Sequence, residues 1–321
     1  MAVAADFRDK LLQCLGGPWP RLEQAADLAP RREAAPVRKD GYTLEHVSFA
    51  AFGDPVQPDD RIPAYVLIPD GVDERNPAPA VCVWHQHNGA WQLGKVEPAG
   101  LAGSPMHHTG VALAKEGYVV ICRDALTFGQ RQDPTGKLKR GDYERYQFLR
   151  YTVQGKCLAW KDILDMRRTV DYLVGRPEVM HNRIGCYGHS MGSTHAWLVG
   201  PWEERLTCLV GNCCLPTYAG IHREKLLHCF PNFIPGLHQH GDTPDVAALI
   251  APRALHLNFG ATDGGSPIDE VRRGLRVIEQ RYAAVGAADK FSSFVEEKAG
   301  HVLSPAMWER TRAFFRRHLK E

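Results

Sequence analysis

The sequence predicts an α/β fold: a mostly parallel central sheet with helices on both faces, entered through an antiparallel hairpin. Three observations carry this. From Ala78 onward, short apolar runs alternate with helix-length segments. The runs are apolar throughout rather than at every second position, the mark of strands buried on both faces. Ahead of them, "YTLEHVSFAAF" (42–52) and "IPAYVLIP" (62–69) alternate apolar with polar residues, as paired edge strands do.

In chain order, residues 1–40 read as a helical, charged extension interrupted by Gly16-Gly17-Pro18 and Pro20. After the hairpin, "PAVCVWHQ" and "YVVICRDAL" are buried strands separated by the helical "GVALAKEG", and 156–174 is a helix. "IGCYGHS", "TCLVGNCC", "ALHLNFGATD" and "FSSFVEE" are further strands; "THAWLVGPW", 268–284 and "PAMWERTRAFFRRHLK" are helices. Residues 215–244 carry prolines, glycines and four histidines without any period. Irregular stretches of that length in compact domains are usually functional, so this one is expected to cap a pocket. With no repeat or low-complexity tract, 1–321 reads as one domain.

Composition narrows the function. The chain balances 39 basic against 37 acidic side chains, for a formal charge of +2. No basic run is interleaved with aromatics, so no nucleic-acid partner is expected. Asp6, Arg8, Asp9 and Lys10 interrupt what would be the apolar core of a signal peptide. Nor is there any apolar run long enough to span a bilayer, so no membrane partner is expected. Nine cysteines lack CxxC spacing, and Cys82, Cys122, Cys186 and Cys208 sit in strand-like runs. They read as reduced core thiols of a cytoplasmic protein. A homo-oligomer is compatible with apolar residues in the 215–244 segment.

The most informative stretch is "RIGCYGHSMGS" (183–193). Gly188-His189-Ser190-Met191-Gly192 fits G-x-S-x-G between a strand and a helix, the context that gives this motif meaning. In so tight a turn, residues two positions from the serine must lack a Cβ. Ser190 is then held exposed at the sheet's C-terminal edge, the place for a nucleophile. A serine hydroxyl needs a base within hydrogen-bond reach, and the base needs an orienting carboxylate. In the chain order this fold uses, those are Asp263, in the turn after "LHLNFG", and His301, after "FSSFVEEKAG". Asp242, Asp245 and Asp269 are the rival acids; two precede the relevant strand and one lies in the helix after it. An oxyanion formed on attack needs N–H donors. Met191 is expected to supply one, and the His85–Gly89 loop the other, with His87 the first choice and Gln86 the second.

The same loop admits a rival class. His85 and His87 project from one side of an extended strand, and His107, His108, His238 and His240 add imidazoles, as in a protein that binds a metal or ligand. No HxHxDH, HExxH or neighbouring carboxylate at ligand spacing accompanies them. His85 and His189 are therefore assigned to shaping the substrate pocket, with no metal and no cofactor expected. Trp91 and Phe128 are expected to line an acyl or aryl pocket, with Trp84 and Trp160 as alternatives or as core. Lys95 and Glu97 are expected to pair, to contact Arg123 or Arg131, or to be solvated.

From about Leu44 to the C-terminus the chain resembles the dienelactone hydrolase and acetyl xylan esterase branch of the α/β-hydrolases. Beyond the three reactive residues, "HQHNGAWQLGKVEPAGLAG", "GYVVICRDALTFGQR", "WKDILDMRRTVDYLVGRPEV" and "DVAALIAPRALHLNFGATD" are similar to blocks of its bacterial members. The resemblance implies an α/β-hydrolase fold and a serine esterase acting on small or medium esters, deacetylation included. Three departures stand out: Ser190 replaces the cysteine of dienelactone hydrolases proper, Ser193 stands where sugar deacetylases have a second glycine, and Gln86 follows His85 where a glycine is usual. A peptidase related to prolyl oligopeptidase is the alternative within the same chemistry, though no propeller precedes the domain.

Overall fold

The computed structural model describes residues 2–20, 28–52 and 57–321. Ten strands form one sheet: β1 (Arg31–Arg32), β2 (Val37–Lys39), β3 (Tyr42–Ala50), β4 (Arg61–Pro69), β5 (Ala78–Trp84), β6 (Val119–Arg123), β7 (Val179–His189), β8 (Leu206–Asn212), β9 (Ala254–Gly260) and β10 (Phe291–Glu296). The order along the sheet is β1-β3-β4-β6-β5-β7-β8-β9-β10, with β2 also on β3. The pairs from β6 to β10 are parallel, and those among β1, β2, β3, β4 and β6 are antiparallel.

Nine helices accompany the strands among the described residues: α1 (Ala2–Leu15), α2 (Thr109–Lys115), α3 (Gly141–Val153), α4 (Leu158–Val174), α5 (Met191–Val199), α6 (Tyr218–Glu224), α7 (Thr243–Ala248), α8 (Ile268–Ala284) and α9 (Pro305–Phe315). Alternate strand residues feed two cores. Val119 and Ile121 of β6 join Leu164, Trp197 and Ile278 from α4, α5 and α8 on one face. Val120 and Cys122 join Leu113, Met307 and Phe315 from α2 and α9 on the other. Both faces are thus covered, which is why these strands read as continuous apolar runs. None of the nine cysteines forms a disulfide.

Two expectations need correction, and one helix adds to them. The N-terminal extension is helical only over Ala2–Leu15; residues 31–32 and 37–39 pair with β3, and 21–27 lie outside the described residues. A short polar run beside an unpaired edge is recruited into the ladder whatever its own pattern, because the edge offers unsatisfied N–H and C=O groups. "IPAYVLIP" is not an edge strand, since β4 has β3 on one side and β6 on the other. Helix α3, "GDYERYQFLRYTV", has no clear apolar stripe and was not anticipated; Tyr146, Leu149 and Val153 on it are exposed.

Strand order reverses around β5, which lies between β6 and β7. Chain segments leaving β5 and β7 therefore diverge from a common crevice at the C-terminal ends, where parallel sheets place ligands. A buried ionic group holds one flank of it. Arg131 reaches Asp60 at 2.6 Å and Asp165 at 2.7 Å, and Lys161 reaches Asp60 at 2.8 Å. The Lys161 ammonium also lies 2.9 Å from Asp165 Oδ1, at ion-pair distance but without hydrogen-bond alignment.

Asp165 has a fully buried side chain, and Asp165→Ala would leave two cations sharing Asp60. Breaking such a pair typically costs about 3–5 kcal/mol. Urea unfolding should show a loss of that order; an unchanged midpoint would mean that water already solvates these cations.

Candidate active site

Strand β7 runs into α5 through one residue. Ser190 has φ 58° and ψ −120°, a conformation disfavoured for a side chain and held only because the surroundings impose it. A Cβ on Gly188 would fall 1.9 Å from the Gly192 carbonyl oxygen, and one on Gly192 would fall 2.1 Å from the Trp84 carbonyl oxygen. Both glycines of the motif are thus required by backbone contact, the second with β5. The main-chain N–H of Ser190 donates to Asn212 O at 2.8 Å.

Asp263 and His301 arrive from the neighbouring strand ends. The parallel register of β9 and β10 sets their following loops side by side, and Thr262 N–H donates to Ala299 O at 2.9 Å. His301 Nδ1 lies 2.7 Å from Asp263 Oδ2, and His301 Nε2 lies 2.8 Å from Ser190 Oγ. The second oxygen of Asp263 accepts from Gly265 N–H at 2.9 Å. With the carboxylate able only to accept, Nδ1 carries the proton and Nε2 is free to accept from the serine hydroxyl. Asn212 braces the group: its side-chain amide contacts His189 Nδ1 at 2.7 Å and donates to Val302 O, beside His301, at 3.1 Å.

The chain Asp263, His301, Ser190 opens on a cavity of about 550 Å³. His87, Asn88 and Gly89 line it from the loop after β5, Glu144 from α3, and Leu227, His228, Cys229 and Phe230 from the 215–244 segment. That segment folds as α6 with two short turns, Phe230–Asn232 and Leu237–Gln239, and forms one wall. Glu144 and His228 were not singled out from the sequence. Glu144 sits in a helix without an amphipathic signal, and His228 is one of four histidines in an aperiodic stretch.

Met191 opens α5, so its N–H has no carbonyl within the helix to bond and is available beside Ser190. The loop side chains are engaged elsewhere. Gln86 Nε2 donates to buried Glu97 at 2.9 Å, and His87 Nε2 donates to Glu144 at 2.9 Å. What the loop can offer an oxyanion is therefore main-chain N–H, not these side chains.

Four residues expected to bind substrate do not line the cavity. His85 is buried, with Nδ1 bonded to Gln86 O and Nε2 accepting from Ala125 N–H. His189 is buried against His107 and His301, with ring centroids 4.6 and 5.1 Å apart. Phe128 is buried, and it and Trp91 pack edge-on to His87, each at 5.0 Å. They position the residue that does face the cavity. Trp84 and Trp160 are core. Lys95 and Glu97 are neither solvated nor paired with Arg123 or Arg131. Lys95 Nζ bonds Asp124 at 2.7 Å and Gln130 at 2.6 Å, and Glu97 accepts from Gln86 and from Ser104 N–H. Apolar closure over this loop leaves each of them a partner on the adjacent loop rather than water.

The histidines considered as metal ligands do not gather. Among the described residues, one group of three has ligand atoms within 4.8 Å of one another: Cys213, Asp263 and His301. Two of these already bond each other, and burial pushes the Cys213 thiol up to about 12, so its thiolate is disfavoured.

Comparisons with known proteins agree on the fold. The model of the Abhydrolase family matches residues 29–305. The chain is 30% identical to "Putative hydrolase YtaP" of Bacillus subtilis (strain 168), over 75% of this chain and 78% of that one. It superposes on a crystal structure titled a "putative acetyl xylan esterase", from Bacteroides fragilis NCTC 9343, with a TM-score of 0.70 and 19% identity. That match covers 91% of this chain and 74% of the other. A glucuronoyl esterase from Solibacter usitatus gives a TM-score of 0.65 at 16% identity, covering 96% and 91%. No helix among the described residues is long and apolar enough to cross a membrane.

Two outcomes follow from this geometry. Gly192→Ala must push the Trp84 carbonyl away from the turn; thermal unfolding should occur at lower temperature, and a variant as stable as the parent would mean that the turn relaxes freely. Burial pushes His85 down to about 3 and His256 to about 4, and holds His189 well below its ordinary value. These imidazoles are neutral in the folded chain and take up protons on unfolding below about pH 6.5. Stability present above that pH is therefore lost as the pH falls toward 4 and then 3. Urea midpoints should drop between about pH 7 and pH 5; equal midpoints would mean that water reaches these rings.

Proposed function

Because the chain belongs to the Abhydrolase family and has the α/β-hydrolase fold, we propose that it is a serine carboxylic-ester hydrolase working through an acyl-enzyme. The observation that carries this reading is the hydrogen-bonded series Asp263, His301, Ser190 at the edge of a cavity large enough for a small or medium ester. Ser190 Oγ attacks the ester carbonyl carbon as its proton passes to His301 Nε2. Asp263 keeps the ring in the tautomer that accepts this proton and stabilises the imidazolium that results. The negative oxygen of the tetrahedral intermediate accepts from Met191 N–H and from a main-chain N–H of Gln86 or His87. The C–O bond to the alcohol breaks, the alcohol leaves with the proton from His301, and water then releases the acid by the same steps in reverse.

Several features support the reading. Ser190 holds a positive φ of 58° in a turn whose flanking glycines leave no room for a Cβ. The N-terminal end of α5 points its N–H groups at the place where charge develops. Solved structures of this fold include proteins titled acetyl xylan esterase and glucuronoyl esterase, which makes an ester the first class of substrate to try.

Ser190→Ala should lower turnover of p-nitrophenyl acetate by at least about a thousandfold while thermal unfolding stays near that of the parent. A fluorophosphonate should add its mass to the parent and not to the variant. Unlabelled Ser190 in the parent, or wild-type turnover by the variant, would end the reading. Faster cleavage of an anilide than of the matching ester would move it to a peptidase.

A further inference from the structure

One carboxylate in the cavity has no part in the chemistry above. Glu144, on α3, has a side chain only 4% exposed and lines the same cavity as Ser190. Its Oε2 accepts two hydrogen bonds, from His87 Nε2–H at 2.9 Å and from Trp91 Nε1–H at 2.8 Å. Gly89 N–H donates to His87 Nδ1 at 3.0 Å, so the ring's proton is on Nε2, pointing at Glu144. The other oxygen, Oε1, takes no hydrogen bond among the described residues. No lysine or arginine of those residues pairs with Glu144, and none lines the cavity.

A buried carboxylate held by two neutral donors through one oxygen is an acceptor fixed in place. Its free lone pairs call for a group that donates. A second carboxylate there would set two like charges in contact in a site of low dielectric. Placement at the start of a 13-residue helix gives the charge some support from the helix N-terminus, yet leaves Oε1 unpaired.

We propose that Glu144 determines substrate choice by accepting a hydrogen bond from a hydroxyl group on the ester's alcohol or acyl part. The favoured substrates are esters of polyols that carry no anionic group. This rests on the serine-esterase reading and names the substrate class for the same site. Glu144 acts by contact with substrate and takes no proton in the reaction.

Three acetates that share the acyl group test it: glyceryl monoacetate, propyl acetate and 3-acetoxypropanoate. The parent should turn over the first with kcat/KM about tenfold or more above the second, and the third about tenfold or more below it. Glu144→Gln keeps an acceptor oxygen for His87 and Trp91 but turns an NH2 donor toward the cavity. In that variant both ratios should collapse toward one, mostly through KM. Flat ratios in the parent would overturn the proposal, and so would a variant in which all three esters fall equally, the result expected if Glu144 merely positions His87. If the variant does not fold, the parent's ratio for the anionic ester decides alone: a value near one overturns the proposal. Fluorophosphonate labelling of the parent separates the two readings. Labelled protein with flat ratios sinks only the role of Glu144, whereas unlabelled protein sinks the esterase reading itself.

Discussion

The arrangement depends on one close approach of backbone to backbone, where the first turn of α5 presses Gly192 against the carbonyl of Trp84 at the end of β5. This contact does three things together. It forces Ser190 into φ 58°, lifting its hydroxyl off the sheet edge. It brings the N-terminal N–H groups of α5 alongside the loop that leaves β5. It also fixes the spacing between the two strands that flank the crevice at the switch point of strand order. A methyl group at either glycine of the motif removes the common cause of all three.

Rigidity around that contact comes from buried polar groups rather than from apolar packing alone. Asn212 joins the turn's serine, the adjacent His189 and the loop that carries His301. Asp124 holds Lys95 and Gln130 across two loops, and Arg131 is locked by Asp60 and Asp165. Each such tie costs desolvation and stabilises little on balance. What it supplies is one geometry, because a buried polar group left without its partner is far worse than either alternative. The loops that shape the cavity are therefore specified by their polar residues, whereas the sheet beneath is specified by its apolar ones.

The cavity is assembled from pieces of different origin. One wall is the loop after β5, another is α3, and a third is the stretch between β8 and α7. Glu144 and the His87–Trp91–Phe128 stack tie the first two together. Contacts among these side chains, which join one short loop to residues up to 57 positions away, set the polarity of this part of the cavity wall.

The amino-acid sequence by itself determined a mostly parallel sheet, strands β3 to β10 in their chain order, the helices other than α3, α6 and α7, and the positions of Ser190, Asp263 and His301 at strand ends. These follow from local physics: apolar period, turn chemistry and the need for glycine where no Cβ fits. Tertiary structure alone decided the rest. Residues 31–39 became strands because β3 offered an edge, and β4 became internal because β6 came to its other side. His85, His189, Trp91 and Phe128 were legible as unusual but not as second-layer supports, since a side chain's facing depends on which loop closes over it. Glu144 was invisible, because what matters about it is a pair of partners more than fifty residues away, and no local pattern encodes a contact at that separation.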